Sequence, residues 1–150
     1  MKINKNFLFT AFCAVICFAC KSNNENEMLS SLKGTQWKLA GIVDSQTDKL
    51  TVLEPADCEE CYTLTFDTDS TLSTRSTSND LTGKYISNNS KYSFHIITFG
   101  GTKVGEIGDG NLYVIPFWNK SIESFSLQKD ELLLYYNDKK NYLLFKLQKS

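Results

Sequence analysis

Two prolines and eight glycines in 150 residues exclude long low-complexity stretches, and neither sign of charge dominates. Sixteen basic side chains stand against seventeen acidic ones, for a formal net charge of −1. A nucleic-acid binder needs a clustered basic face to meet phosphates. No such cluster is present, so no nucleic-acid partner is expected, and a polybasic membrane patch is excluded with it. Histidine is all but missing, with His95 the single one. A tetrahedral zinc centre takes about four ligands, and beyond Cys20 the chain offers two thiols and that one imidazole. No metal or other cofactor is therefore expected. The apolar run Phe7–Ala19 falls short of the ~20 residues a helix needs to cross a bilayer. What is left, 41% hydrophobic and 22% charged, is ordinary material for one globular domain.

The amino terminus has the form of an export signal. Lys2 and Lys5 supply a positive start, Phe7–Ala19 an uncharged apolar segment, and polar Lys21-Ser22-Asn23-Asn24 follow at once. Ala19-Cys20 puts a small residue directly before a cysteine, which resembles the lipobox cut by lipoprotein signal peptidase. Residues 1–19 are then the signal peptide and Cys20 the lipidated first residue of the mature chain. Acyl chains on that cysteine bury at about 0.8 kcal/mol per CH₂, enough to anchor without a transmembrane helix. Residues 20–31, rich in Asn, Glu and Ser, form a flexible tether.

From Leu32 to Gln148 the pattern is short apolar alternation broken by polar turns, which predicts an all-β or β-rich α+β domain: an antiparallel sandwich or open barrel. Trp37, Leu39, Gly41 and Val43 share one face of a first strand; Tyr62, Leu64 and Phe66 line a second, with Thr63 and Thr65 turned away. Leu72–Arg75, Leu81–Ser87 and Tyr92–Thr98 follow. Phe125 and Leu127 lead through a Lys129-Asp130 turn to a hairpin, Leu132–Tyr136 with Tyr142–Leu147. Trp37, Leu39, Phe66, Phe125, Leu143 and Phe145 are expected in one core. Gly108–Ser121 has helical spacing at Leu112, Ile115 and Trp118, but Pro116 would remove a hydrogen bond from a helix interior. A short or broken helix across one end of the sheet is expected.

The opening Leu32-Lys33-Gly34-Thr35-Gln36-Trp37-Lys38-Leu39 resembles the first strand of META/HslJ-like domains, and Asn79, Gly83 and Tyr85 stand at the spacing of that family's Gly-Cys-Asn-x-x-x-Gly-x-Tyr block. Thr98–Gly105 and Ile122–Leu147 resemble its third and closing blocks. Ser78 and Gly105 stand near the positions of the two family cysteines. The resemblance implies a small β-rich envelope lipoprotein, of this type or a lipocalin-like relative, linked to envelope stress and secretion and with no catalytic activity.

Cys58-Glu59-Glu60-Cys61 is the sharpest local motif. In an oxidising envelope a local disulfide is the default, while a redox pair or half a zinc site are the other readings. Redox work needs a stabilised thiolate, and Asp57, Glu59 and Glu60 oppose one. His95 lies between Phe94 and Ile96 on a strand with no Ser/His/Asp pattern around it, so no catalytic residue is assigned. Asp67-Thr68-Asp69-Ser70 resembles the start of a calcium loop, but Leu72 and Ser78 occupy the positions of its glycine and its bidentate glutamate. A hairpin turn accounts for it. Glycines around Phe99–Gly110 lack the strand–loop–helix setting of a phosphate site. Tyr113, Trp118, Tyr136 and Tyr142 are a candidate ligand or partner surface, because Leu132–Leu134 is apolar on both faces and needs cover.

These readings predict a membrane-anchored lipoprotein of the bacterial cell envelope, held in the outer membrane and facing the periplasm or the surface. Its expected task is a non-enzymatic one, that of a binding or interaction module linked to envelope stress, taking a protein partner or a small apolar ligand. A carrier of a small apolar ligand, and a Cys58/Cys61 redox or metal protein, are the alternatives.

Overall fold

The computed structural model describes residues 31–149; the signal sequence, Cys20 and nearly all of the tether lie outside them. Nine strands alternate with one helix: β1 (Gln36–Asp44), β2 (Lys49–Thr51), β3 (Thr63–Phe66), β4 (Thr71–Arg75), β5 (Asp80–Asn88), β6 (Ser93–Gly101), α1 (Gly110–Trp118), β7 (Ile122–Gln128), β8 (Glu131–Tyr136) and β9 (Asn141–Leu147). Every pairing is antiparallel, and β9 returns to pair with β1. All the strands but β2 thus close an up-and-down barrel, and β2 rides outside the circuit on the far half of β1. The domain is β-rich with one short helix, as the alternation predicts.

A barrel of about eight strands is just wide enough for side chains to fill, and here rings fill it. Trp37, Phe66, Tyr85, Phe94, Tyr113, Phe117 and Phe145 are essentially inaccessible to solvent. Tyr85 stacks on Phe94 at 5.0 Å, and Phe66 meets both rings edge-on. Leu32 closes the end where the chain enters, and the indole Nε1 of Trp37 donates to Thr35 Oγ1 at 2.7 Å beneath it. All six residues expected in the core lie there.

The first strand departs from plain alternation. Leu39 pairs with Phe145, but Gly41 pairs with Leu144, so Ala40 is an extra residue in a bulge. A bulge flips the faces that follow it. Ile42, opposite Leu143, turns to the core, while Val43, opposite Tyr142, turns out. Trp37 and Leu39 therefore do not share a face with Gly41 and Val43. Val43 is nonetheless buried, in an outer-face row running Tyr135, Tyr142, Val43, Leu50 across β8, β9, β1 and β2. Leu133 and Leu144 form the adjacent row. That patch supplies the cover Leu133 needs, so neither α1 nor another protein is required for it.

The helix fills a seam. β6 and β7 share one ladder pair, Ser93 with Ser124, and α1 occupies the widening gap beyond. Phe117 stacks on Phe99 at 5.3 Å, Trp118 meets Phe99 edge-on at 5.1 Å, and Lys120 Nζ donates to the Ile97 carbonyl at 2.7 Å. Pro116 is inside the helix; burial of Tyr113, Val114 and Phe117 offsets the amide bond it lacks.

Candidate functional site

Cys58 and Cys61 are joined in a disulfide. The motif precedes β3, and its backbone wraps a cation. Lys38, on the outer face of β1, sends Nζ to the carbonyls of Cys58 (2.7 Å), Glu59 (3.0 Å) and Cys61. Burial pulls the ammonium below the usual lysine pKa, with Glu59 opposing that shift. Tyr62 then takes a left-handed turn (φ 57°) that swings its ring inward against Tyr113. With Cys61 buried in the core and the loop carbonyls occupied, the motif is a clip fastening residues 52–62 to β1.

The four aromatic residues proposed as one surface are not brought together. Tyr113 is fully buried. Its hydroxyl meets Thr74 Oγ1 at 2.6 Å and the Thr63 carbonyl at 2.9 Å; burial pushes its pKa well above the ordinary tyrosine value. It is a core plug, because the helical spacing that makes Leu112, Ile115 and Trp118 conspicuous points residue 113 the opposite way, into the lumen. Tyr136 packs against the core, and Tyr142 pairs with Tyr135 on the outer face at 5.2 Å. Trp118 alone of the four lies on a groove.

That groove, of 270 Å³, runs between residues 102–106 and the helix; Val114 and Leu81 lie beneath it, and Ile115 and Trp118 form one wall. Val104 (63% exposed), Ile107, Leu112, Ile115 and Trp118 leave large apolar surfaces around it. A larger trough of 450 Å³ lies over β4–β6, where Leu72 and Phe99 sit among Thr71, Thr82, Lys84 and Thr98. It is the more open of the two, and the exposed apolar side chains of Val104, Ile115 and Trp118 stand at the smaller groove, so that groove is the stronger candidate.

One carboxylate holds the groove in shape. Glu106 accepts from Ser76 Oγ (2.6 Å), Thr77 Oγ1 (2.7 Å), Asn79 Nδ2 (2.6 Å) and the Ser78 amide (3.2 Å). Burial alone would raise its pKa, but these four donors outweigh it and hold the carboxyl below the ordinary glutamate value. Asn79, itself buried, clasps Val104 with both ends of its amide, at 2.8 and 2.7 Å. Gly108 turns the chain into the helix at φ 55°, where an added Cβ would stand 2.3 Å from the Glu54 carbonyl. Sequence reasoning missed Glu106 and Lys38, since their partners lie twenty or more residues away.

His95 is exposed on the outer face beside Ile86. Asp67–Ser70 is a turn closed by the Thr68 hydroxyl on the Ser70 and Thr71 amides. Among the described residues no group of three or more His, Cys, Asp or Glu side chains is placed to hold a metal.

No family model matches the chain. A Tannerella forsythia protein named "Putative lipoprotein" is 33% identical over 134 residues, covering 87% of this chain and 85% of that one. The chain belongs to that lipoprotein family. Two solved structures share the lipoprotein's fold. A Burkholderia xenovorans protein determined by NMR has a TM-score of 0.62 at 21% identity, covering 79% of this chain and 85% of its own. A DUF4847 family protein from Bacteroides vulgatus has a TM-score of 0.60 at 14% identity, covering 79% and 96%.

Proposed function

We propose that this lipoprotein is a non-enzymatic interaction module of the bacterial envelope, anchored in the outer membrane through a lipidated Cys20, and that it grips a protein partner with the groove beside α1. The observation that carries the reading is the placement of exposed apolar side chains. Val104, Ile107, Leu112, Ile115 and Trp118 gather at the end of the barrel opposite Leu32, where the tether joins, whereas Ile86 and Tyr92 stand apart toward the Leu32 end. A domain held by its tether presents that end away from the bilayer, toward other proteins. A lumen packed with rings has no room for a carried ligand, which disfavours the carrier alternative. Kinship with META/HslJ-like domains is supported by what the shared residues do here: Asn79 clasps Val104, Gly83 lies 2.8 Å (as a hypothetical Cβ) from the Thr98 carbonyl, and Tyr85 donates to the Thr68 carbonyl at 2.9 Å. That kinship carries the implied link to envelope stress.

Two measurements test the reading. Cys20→Ser is expected to abolish palmitate labelling and membrane retention; a labelled, retained variant overturns the anchor. A photo-cross-linking amino acid at position 115 is expected to give one saturable protein adduct in cells, lost with Trp118→Asp, whereas the same group at position 82 gives none. Equal labelling from both positions, or none from 115, overturns the partner reading.

A further inference from the structure

Resting on that reading, we infer that the groove takes its partner as an extended peptide, added as a strand along residues 102–105. The backbone of this segment is already used on one side. Thr102 N–H donates to the Asp80 carbonyl at 3.1 Å, and two residues on, Val104 exchanges both of its backbone bonds with the Asn79 side chain. A side-chain amide that gives and takes with one residue reproduces the pair a neighbouring strand would make. Bonds on the same side at residues 102 and 104 fix the alternation, so the N–H and C=O groups of Lys103 and Gly105 face the other way. Neither residue has a hydrogen-bond partner among the described residues. Both line the groove, with Ile115 and Trp118 on its far wall. The result is a free strand edge beside an apolar trough, the arrangement that β-strand addition uses: main-chain bonds for affinity, a side-chain site for selectivity.

The same residues define the ligand. Four edge residues at about 3.3 Å each match a strand of similar length. Its inward side chain is apolar, to lie between Ile115 and Trp118 over Val114. Two charged groups line the groove, and both carboxylate oxygens of Glu106 are already engaged. The Lys103 ammonium is left to favour an acidic residue on the incoming strand.

The test uses the full chain in detergent and synthetic hexapeptides alternating valine with threonine and aspartate. One is unmodified, and two are N-methylated on alternate residues, one set each. Alternating side chains pin the register, so one methylated set loses the bonds to Lys103 and Gly105 and the other does not. The expected result is binding weakened about tenfold for one methylated peptide, as two net hydrogen bonds imply, with the other close to the parent. Lys103→Pro, which removes one donor, is expected to weaken the parent several-fold. Equal binding of all three peptides, or no binding of any, overturns strand addition. A persisting cross-link at position 115 in that case leaves the partner reading intact, while loss of the cross-link removes the reading itself.

Discussion

The two ends of the barrel are made differently. Where the chain enters, strands are joined by tight turns at 67–70, 89–92 and 129–130, and Leu32 seals the lumen beneath them. At the other end tight turns at 76–79 and 137–140 stand beside two long connections: residues 52–62 held by Lys38 and the disulfide, and residues 102–109 held by Glu106 and Asn79, before α1 sends Tyr113 inward. Short turns seal by sterics and leave little to recognise. Long segments need polar fastenings, because their backbone is not in the ladder and its groups still require partners. Fastened on one side, they keep a second side to offer. Stability and recognition thus meet at the helix end, while the N-terminal end serves closure.

If both ends are sealed by one buried side chain each, truncating either should unfold the domain, with the larger loss at the helix end. Tyr113→Ala removes a fully buried ring together with its bonds to Thr74 and Thr63 and is expected to cost about 3–5 kcal/mol, in the manner of other buried aromatic truncations. Leu32→Ala should cost about 2–3 kcal/mol within the usual range for a buried leucine. Urea unfolding followed by tryptophan fluorescence measures both. A smaller loss for Tyr113 than for Leu32 would mean that the helix is an ornament on a barrel already closed without it.

The two fastenings of the helix end are next in size. Opening Cys58–Cys61 by double substitution to serine releases a loop of sequence separation 3; so short a ring restrains little chain entropy, and about 2 kcal/mol is expected. Calorimetry of the two proteins gives the difference. Glu106→Gln should cost about 1–2 kcal/mol at neutral pH, since charge-assisted bonds weaken and one donor meets an amide instead; partial exposure of the group sets the lower end of that range. Its pH dependence has a definite sign. Folding holds this carboxyl below the ordinary glutamate value, so its contribution is complete above the unfolded pKa and disappears as pH falls through the lower folded one. The gap between wild type and Glu106→Gln should therefore close in acid below about pH 4.5, the ordinary glutamate value. A gap that stays constant down to pH 2 would show that the network acts through shape and not through charge.

Much of the barrel was legible because alternation survives in its sequence. Phe66, Phe125, Leu143 and Phe145 are flanked by residues that face away, and the hairpin over Asn137–Lys140 lies between clear strands. The bulge in β1 was not, because Leu39-Ala40-Gly41-Ile42-Val43 is apolar throughout and carries no phase from which a flip can be read. β2 was missed for a related reason: three exposed residues are too few for a period. The groove was the least legible part. Its walls are brought together by Asn79–Val104 and Glu106–Thr77, bonds spanning 25 and 29 residues, whereas turn and helix signals act within four. Trp118 was found because its helical spacing marks it; Tyr113 was misplaced because an aromatic residue looks the same in sequence whether it faces solvent or core.

The smallest effect on stability separates the two roles most sharply, since it compares neighbours on α1. Val114 is 4% exposed and lies beneath the groove, whereas Ile115 is 46% exposed on its wall. Val114→Ser places a hydroxyl in an apolar setting and removes a methyl group, which should cost about 2 kcal/mol from burial and desolvation together. Ile115→Ser alters a surface position and should stay within about 0.5 kcal/mol of wild type. Serine and isoleucine have nearly equal helix propensity, so the backbone adds little to either change. Function should invert the order. Ile115→Ser removes the apolar wall that the hexapeptide's valine would touch, and its binding should fall severalfold although the melting temperature hardly moves. If instead Ile115→Ser destabilises as much as Val114→Ser, the wall is part of the core, and exposure at the helix end has no recognition to explain.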